Sequence, residues 1–118
     1  MMKKIDIKDY EVEVSTPEGV KKIPYGVVTS IENVALATGP MTSQKLTMAQ
    51  TLEIARIVEK IKAQEKEGKK EVLLEDADFN KIKAAFEAFS GFGKNEVELC
   101  KRIANAENVK VKEVKEKK

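Results

Sequence analysis

DADFNKIKAAFEAFSGFGKNEVELCKRI, residues 76–103, holds two helical patterns separated by a short glycine-bearing loop, and its reading decides the fold. Phe79, Ile82, Phe86 and Phe89 recur at spacings of 3, 4 and 3, which puts their side chains on one face of a helix and predicts a core stripe. Glu75, Asp76 and Asp78 place carboxylates over the first turn, where unpaired amides and the helix dipole favour negative charge, with Asp76 as the cap. A second helix is predicted from about Asn95 to Asn105, with Val97, Cys100, Ile103 and Ala104 along its inner side. Asn95 and Glu98 form its imperfect capping box. A connection this short predicts that the two helices form a packed helical hairpin.

The joining loop, AFSGFGKN over 88–95, raises the question of a phosphate cradle. A P-loop needs a longer spacer before its Gly-Lys pair, a hydroxyl residue after the lysine and a strand before the loop. Here one residue separates Gly91 from Gly93, Asn95 follows Lys94, and a helix precedes. The spaced glycines of a dinucleotide site are also missing. The pattern instead predicts Gly91 as a left-handed helix terminator, Phe92 folded back onto Phe86 and Phe89, and Gly93 freeing the turn. An anion site would use Gly91, Gly93, Lys94, Lys101 and Arg102.

Upstream, Tyr10, Val12 and Val14 alternate with Glu11 and Glu13, the period of a strand with one wet face. Ser15-Thr16-Pro17-Glu18-Gly19 reads as a turn, and Val20 to Tyr25 as the return strand, with Ile23 and Tyr25 on one face. Pro24 marks an edge. Ile5 and Ile7 alternate in the opposite phase to Tyr10 and Val12, so a break near Lys8 and Asp9 must intervene. A brief helix is expected within 27–37, capped by Ser30 and carrying Ile31, Val34 and Leu36. The stretch from Thr38 to Leu46 reads as an exposed polar loop.

Thr47 and Gln50 have the spacing of a capping box, and the longest helix begins there. Leu52, Ala55 and Val58, with Ile54, Ile57 and Ile61 one step round, make a face wide enough to serve both a core and a partner subunit. Residues 62–71, KAQEKEGKKE, suit a frayed helix end and a solvated connection, and Val72 to Leu74 a short third strand that joins the hairpin. Val109 and Val111 alternate with lysines; from Lys110 to Lys118 there are five lysines and two glutamates, a local charge of 5 − 2 = +3. This end reads as a short strand or a frayed basic tail.

Lys plus Arg number 22 against 20 Asp plus Glu, and the signs are interleaved, which argues against the basic stripe of a phosphate-neutralising nucleic-acid binder. There is no histidine, so the commonest general base and nitrogen ligand is missing, and Cys100, without a histidine partner, reads as a small buried hydrophobe. Glu75, Asp76 and Asp78 lack the spacing of a calcium loop. No catalytic residue, metal site or cofactor is expected, and the chain is read as a non-enzyme. One cysteine excludes an internal disulfide and favours an intracellular setting; no apolar run approaches the roughly 20 residues of a bilayer span. Cytoplasmic residence is the expectation.

The order DYEVEV, GVKKIPY, a capped central helix and VLLEDADFNKIKAAFEAFSGFGKNEVELCKRI resembles small accessory or assembly proteins encoded by tailed bacteriophages and prophages. That resemblance spans most of the chain. It implies a viral protein acting by binding, in the host cytoplasm or the particle, and it assigns no functional residue.

The fold expected is α+β: one domain over 1–108 with an N-terminal β-hairpin, extended by a third strand over 71–75, one long helix and a C-terminal helical hairpin. Two functions follow. The first is a protein-interaction or self-associating module using Tyr25, Met48, Leu52, Ile54, Ile57 and Ile61. The second is a regulator that binds nucleic acid or an anionic small molecule through the GFGK loop, Lys101, Arg102 and the lysine tail.

Overall fold

A computed structural model describes residues 2–109 and shows a mixed α+β fold. Strands β1 (Met2–Asp6), β2 (Tyr10–Thr16) and β3 (Gly19–Tyr25) are followed by helices α1 (Val27–Ala35) and α2 (Met48–Lys66). Strand β4 (Glu71–Glu75), helices α3 (Asp76–Ala88) and α4 (Val97–Ala104), and strand β5 (Glu107–Val109) complete it. The lysine tail beyond Val109 lies outside the described residues.

Two antiparallel sheets form among the described residues, one ordered β4-β1-β5 and one made of β2 and β3 alone. The third strand therefore does not join the hairpin as expected. It pairs with β1, Ile5 opposite Val72 and Met2 opposite Glu75, while β5 takes the other side with Lys4 opposite Glu107. The reason lies in what each strand can bury. Ile5, Val72 and Leu74 are fully buried beneath the helices, whereas β3 exposes residue after residue and offers no face to a third strand. The phase change between Ile7 and Tyr10 is where the chain leaves one sheet for the other. Lys8 N donates to Asp6 Oδ1 at 2.9 Å, and the Asp9 carboxylate accepts from Val27 N at 3.0 Å.

That last bond satisfies an orphan amide at the start of α1, so Asp9, and not Ser30, serves its N-terminus; Ser30 lies inside the helix. Helix α2 opens with the expected reciprocal cap, Thr47 Oγ1 accepting from Gln50 N and Gln50 Oε1 from Thr47 N. Its buried face is Ile54, Ile57, Val58 and Ile61. Met48 and Leu52 point outward, because they lie on the side of the helix turned away from that buried face. The connection after it is tied down by Gln64, whose side chain bonds both Leu73 N and Leu73 O.

Helix α3 occupies the centre, touching α1, α2, α4, β1 and β4. Phe79, Ile82, Ala85 and Phe86 are buried, and Phe89 is partly so. Asp76 is not its cap: Glu75 holds that position without a side-chain bond, and Asp76 Oδ1 is buried with no partner among the described residues. Asp78 instead turns into the interface with α2. Helix α4 buries Leu99 and Ile103; Val97 and Ala104 are exposed and Cys100 is half-buried, so the inner stripe is turned relative to expectation. A 3-10 turn over Lys94–Glu96 precedes α4, and Glu96 Oε1 accepts from Gly93 N at 2.7 Å, in place of the expected Asn95–Glu98 box.

Residues 37–47 are partly exposed yet firmly held. Ser43 N donates to Ala88 O and Ser90 N to Met41 O at 2.9 and 2.7 Å, while Gln44 Nε2 reaches the carbonyls of Ala35 and Ala37. This strap satisfies carbonyls at the ends of α1 and α3. It also explains Gly91, whose φ is not positive and which does not terminate a helix. A Cβ there would collide with Met41 Cε and lie 2.8 Å from Phe89 Cε2. Gly91→Ala should lower stability by about 1 kcal/mol through overpacking, read as a lower urea midpoint at unchanged slope. An unchanged midpoint would show that Met41 and the Phe89 ring move aside freely.

Candidate functional site

The β2–β3 hairpin is a candidate interaction arm. Pro17 and Glu18 form its turn, with Thr16 opposite Gly19, whose φ of 120° suits glycine alone. Each strand has seven residues, which at roughly 3.4 Å per residue gives an arm about 20 Å long. Its base is clamped. Tyr10 and Tyr25 face each other across the ladder and stack at 5.0 Å between ring centroids. The Tyr10 hydroxyl donates to Asn95 O at 2.7 Å, and the Arg102 guanidinium sits 5.1 Å from the Tyr10 ring centroid. Burial pushes both phenols above their ordinary pKa, so each stays a neutral donor at physiological pH. Beyond Val12, which is buried, support thins: Val20 is 66% and Ile23 42% exposed.

Beside β2 runs an open groove of about 380 Å³ walled by the 94–101 segment and lined by Glu11, Glu13, Glu98, Lys94 and Lys101, with Val12 and Val97. Asn95 Nδ2 reaches across it to Glu13 O at 3.5 Å, the limit of a hydrogen bond.

The residues expected to bind a partner do not form one surface. Ile54, Ile57 and Ile61 are in the core, and Tyr25 belongs to the base of the arm. Met48 at 80% and Leu52 at 64% exposure lie one turn apart on the outer side of α2. The anion set is likewise dispersed. Arg102 is a clamp, donating to Lys8 O at 2.6 Å, Asp6 O at 3.3 Å and Glu98 Oε2 at 2.9 Å. Gly93 gives its amide to Glu96, Gly91 is covered by Met41, and Lys94 and Lys101 share their groove with three glutamates.

Cys100 lines an apolar cleft of about 190 Å³ between α3 and α4, together with Phe86, Phe92 and Ile103. Burial first, and the Glu96 charge second, raise its thiol pKa, which keeps it protonated and a poor nucleophile. Phe92 folds back as expected, stacked on Phe86 at 5.6 Å and edge-on to Phe89 at 4.9 Å. Among the described residues no cluster of three or more metal-ligating side chains occurs, and no helix is long and apolar enough to cross a membrane.

Asp9, Asn95 and Arg102, which fix the arm to the body, were not singled out as a unit by sequence. Only the Glu98–Arg102 spacing of four was a legible signal. No protein family, curated protein or solved structure matches the chain.

Proposed function

We propose that the chain is a non-enzymatic interaction or assembly module that presents the β2–β3 arm to a protein, either a partner or another copy. One observation carries this reading: a two-stranded ribbon with apolar Val20 and Ile23 in solvent is held rigid at its base by a tyrosine stack, a carbonyl bond and an arginine clamp. An isolated hairpin gains little stability in water. Fixing one to the body and leaving its outer strand uncovered suits a surface that is completed by association. The likeness to phage accessory proteins agrees with such a role, and residence in the cytoplasm of the host or in the particle belongs to the same proposal. The anion-binding alternative has less to stand on, because Arg102 and the Gly93 amide are already engaged within the chain.

The test is affinity purification from the cell that makes the protein, comparing the natural chain with Val20→Ser/Ile23→Ser. Both positions are exposed, so the variant should melt within a few degrees of the natural chain. The expected result is an associated protein, or additional copies, retained by the natural chain and lost by the variant. Identical recovery by both would remove the arm from the function.

A further inference from the structure

We infer that the occupant of the arm is a second copy of this chain, joined heterologously: the β3 edge of one copy pairs with the β2 edge of the next. This rests on the association reading above and names its partner.

The two edges carry opposite charge. The reach of Asn95 Nδ2 to Glu13 O from the groove side marks Glu13 as a residue whose backbone faces outward from the ladder. By the alternation of an antiparallel pair, Glu11 and Ser15 face outward on β2, and their opposites Pro24, Lys22 and Val20 on β3. Pro24 thus sits where its missing N–H breaks no bond of the hairpin. The β2 edge is flanked by Glu11 and Glu13, and the β3 edge by Lys21 and Lys22.

These charges select among the ways two arms can meet. A two-fold pairing of β3 with β3 brings the lysines together, and β2 with β2 brings the glutamates together; like charges directly opposite destabilise a ladder. Pairing β3 with the β2 of a neighbour repeats the register already present within the hairpin, where Glu13 faces Lys22 and Val12 faces Ile23. Val12 and Ile23 would then lie side by side from copy to copy, with Lys21 beside Val14 on the same face. The groove beside β2 flanks that strand's edge, with Glu98, Lys94 and Lys101 on its far wall, and an incoming strand would take over the Glu13 carbonyl that Asn95 Nδ2 reaches at 3.5 Å. Every copy offers one acidic and one basic edge, so the assembly is a head-to-tail ring or chain.

The mass of the natural chain in solution should rise with concentration above that of a single chain. Lys21→Glu/Lys22→Glu should weaken association at least about tenfold, because the Glu13–Lys22 pair becomes a like-charge pair and the basic edge turns acidic. Added salt should weaken the natural assembly as well. Thermal melting confirms that the variant is folded. The geometry is read by cross-linking: on a Cys100→Ser background, chains carrying Glu13→Cys are mixed with chains carrying Lys22→Cys. A disulfide between unlike chains, with little between like ones, is the expected result. Disulfides between like chains alone, an assembly that persists in Lys21→Glu/Lys22→Glu, or a natural chain that stays single at every concentration would each overturn the inference. A single chain that nonetheless retains another protein through Val20 and Ile23 leaves the association reading standing and sinks only this one.

Discussion

Ile82→Ala is expected to lower the free energy of unfolding by about 3–5 kcal/mol. Ile82 is fully buried in α3, the helix that touches α1, α2, α4, β1 and β4. Its removal leaves a cavity with structure on every side, and a site enclosed by so many elements cannot collapse to fill it. A domain of this size holds roughly 5–15 kcal/mol in total, so the loss is a large fraction of the whole. Leu52→Ala is the matched control. It deletes apolar atoms from a helix too, but its side chain is 64% exposed, and the change should stay within about 0.5 kcal/mol. Urea unfolding of both, with equal slopes, decides the matter. A Leu52→Ala loss as large as that of Ile82→Ala would mean that Leu52 is covered in solution, as it would be at an interface between copies.

The contrast between these two leucine-sized positions also shows what was legible in the sequence. Period and spacing are local properties, so the Phe79, Ile82, Phe86 stripe and the Thr47–Gln50 cap could be read directly, and both stand in the structure. Where a helix meets the rest of the chain is not local. Leu52 was grouped into one broad face because it stands three residues before Ala55, yet the turn of the helix carries it to the side opposite Ile54 and Ile57, and the rest of the chain covers only their side. The same holds for β1. Its two partners lie about 70 and 105 residues further on, and the one local trace of its separation from the hairpin was the change of phase around Lys8 and Asp9. Gly91 shows a third kind of gap. A glycine after a helix reads as a left-handed terminator, but the need here is for close approach by Met41, which comes from a strap some fifty residues earlier. The site was harder still. The arm is a function-bearing candidate because its outer strand exposes every residue before Tyr25, and exposure of that kind is invisible in an alternating pattern that would look the same inside a sheet.

The electrostatic seam between α2 and α3 makes a prediction of another kind, because its size depends on pH. Asp78 is 6% exposed, and its two carboxylate oxygens accept from Arg56 at 3.2 Å and Lys60 at 3.1 Å. Burial alone would push its pKa up; the hydrogen bonds and charges of Lys60 and Arg56 together outweigh burial and hold it below the ordinary value. Both cations are about half exposed, so solvent screens the pairs, and Arg56→Met/Lys60→Met should cost about 2 kcal/mol at neutral pH rather than the larger loss of a fully buried pair. In the natural chain the folded pKa lies below the unfolded one. The contribution of Asp78 is therefore complete above the unfolded value near 3.8 and is lost as pH falls below it. Without its cations, burial is left unopposed and the folded pKa rises above the unfolded one, so Asp78 opposes folding at neutral pH and ceases to as it takes up a proton. The stability gap between the two chains should accordingly shrink as pH is lowered from neutral towards 4, and Asp78→Asn added to the double variant should close most of it at pH 7. Urea midpoints at the two pH values measure this directly. A gap that does not change with pH would mean that what Arg56 and Lys60 contribute is the packing of their stems over the interface, with the carboxylate indifferent to their charge.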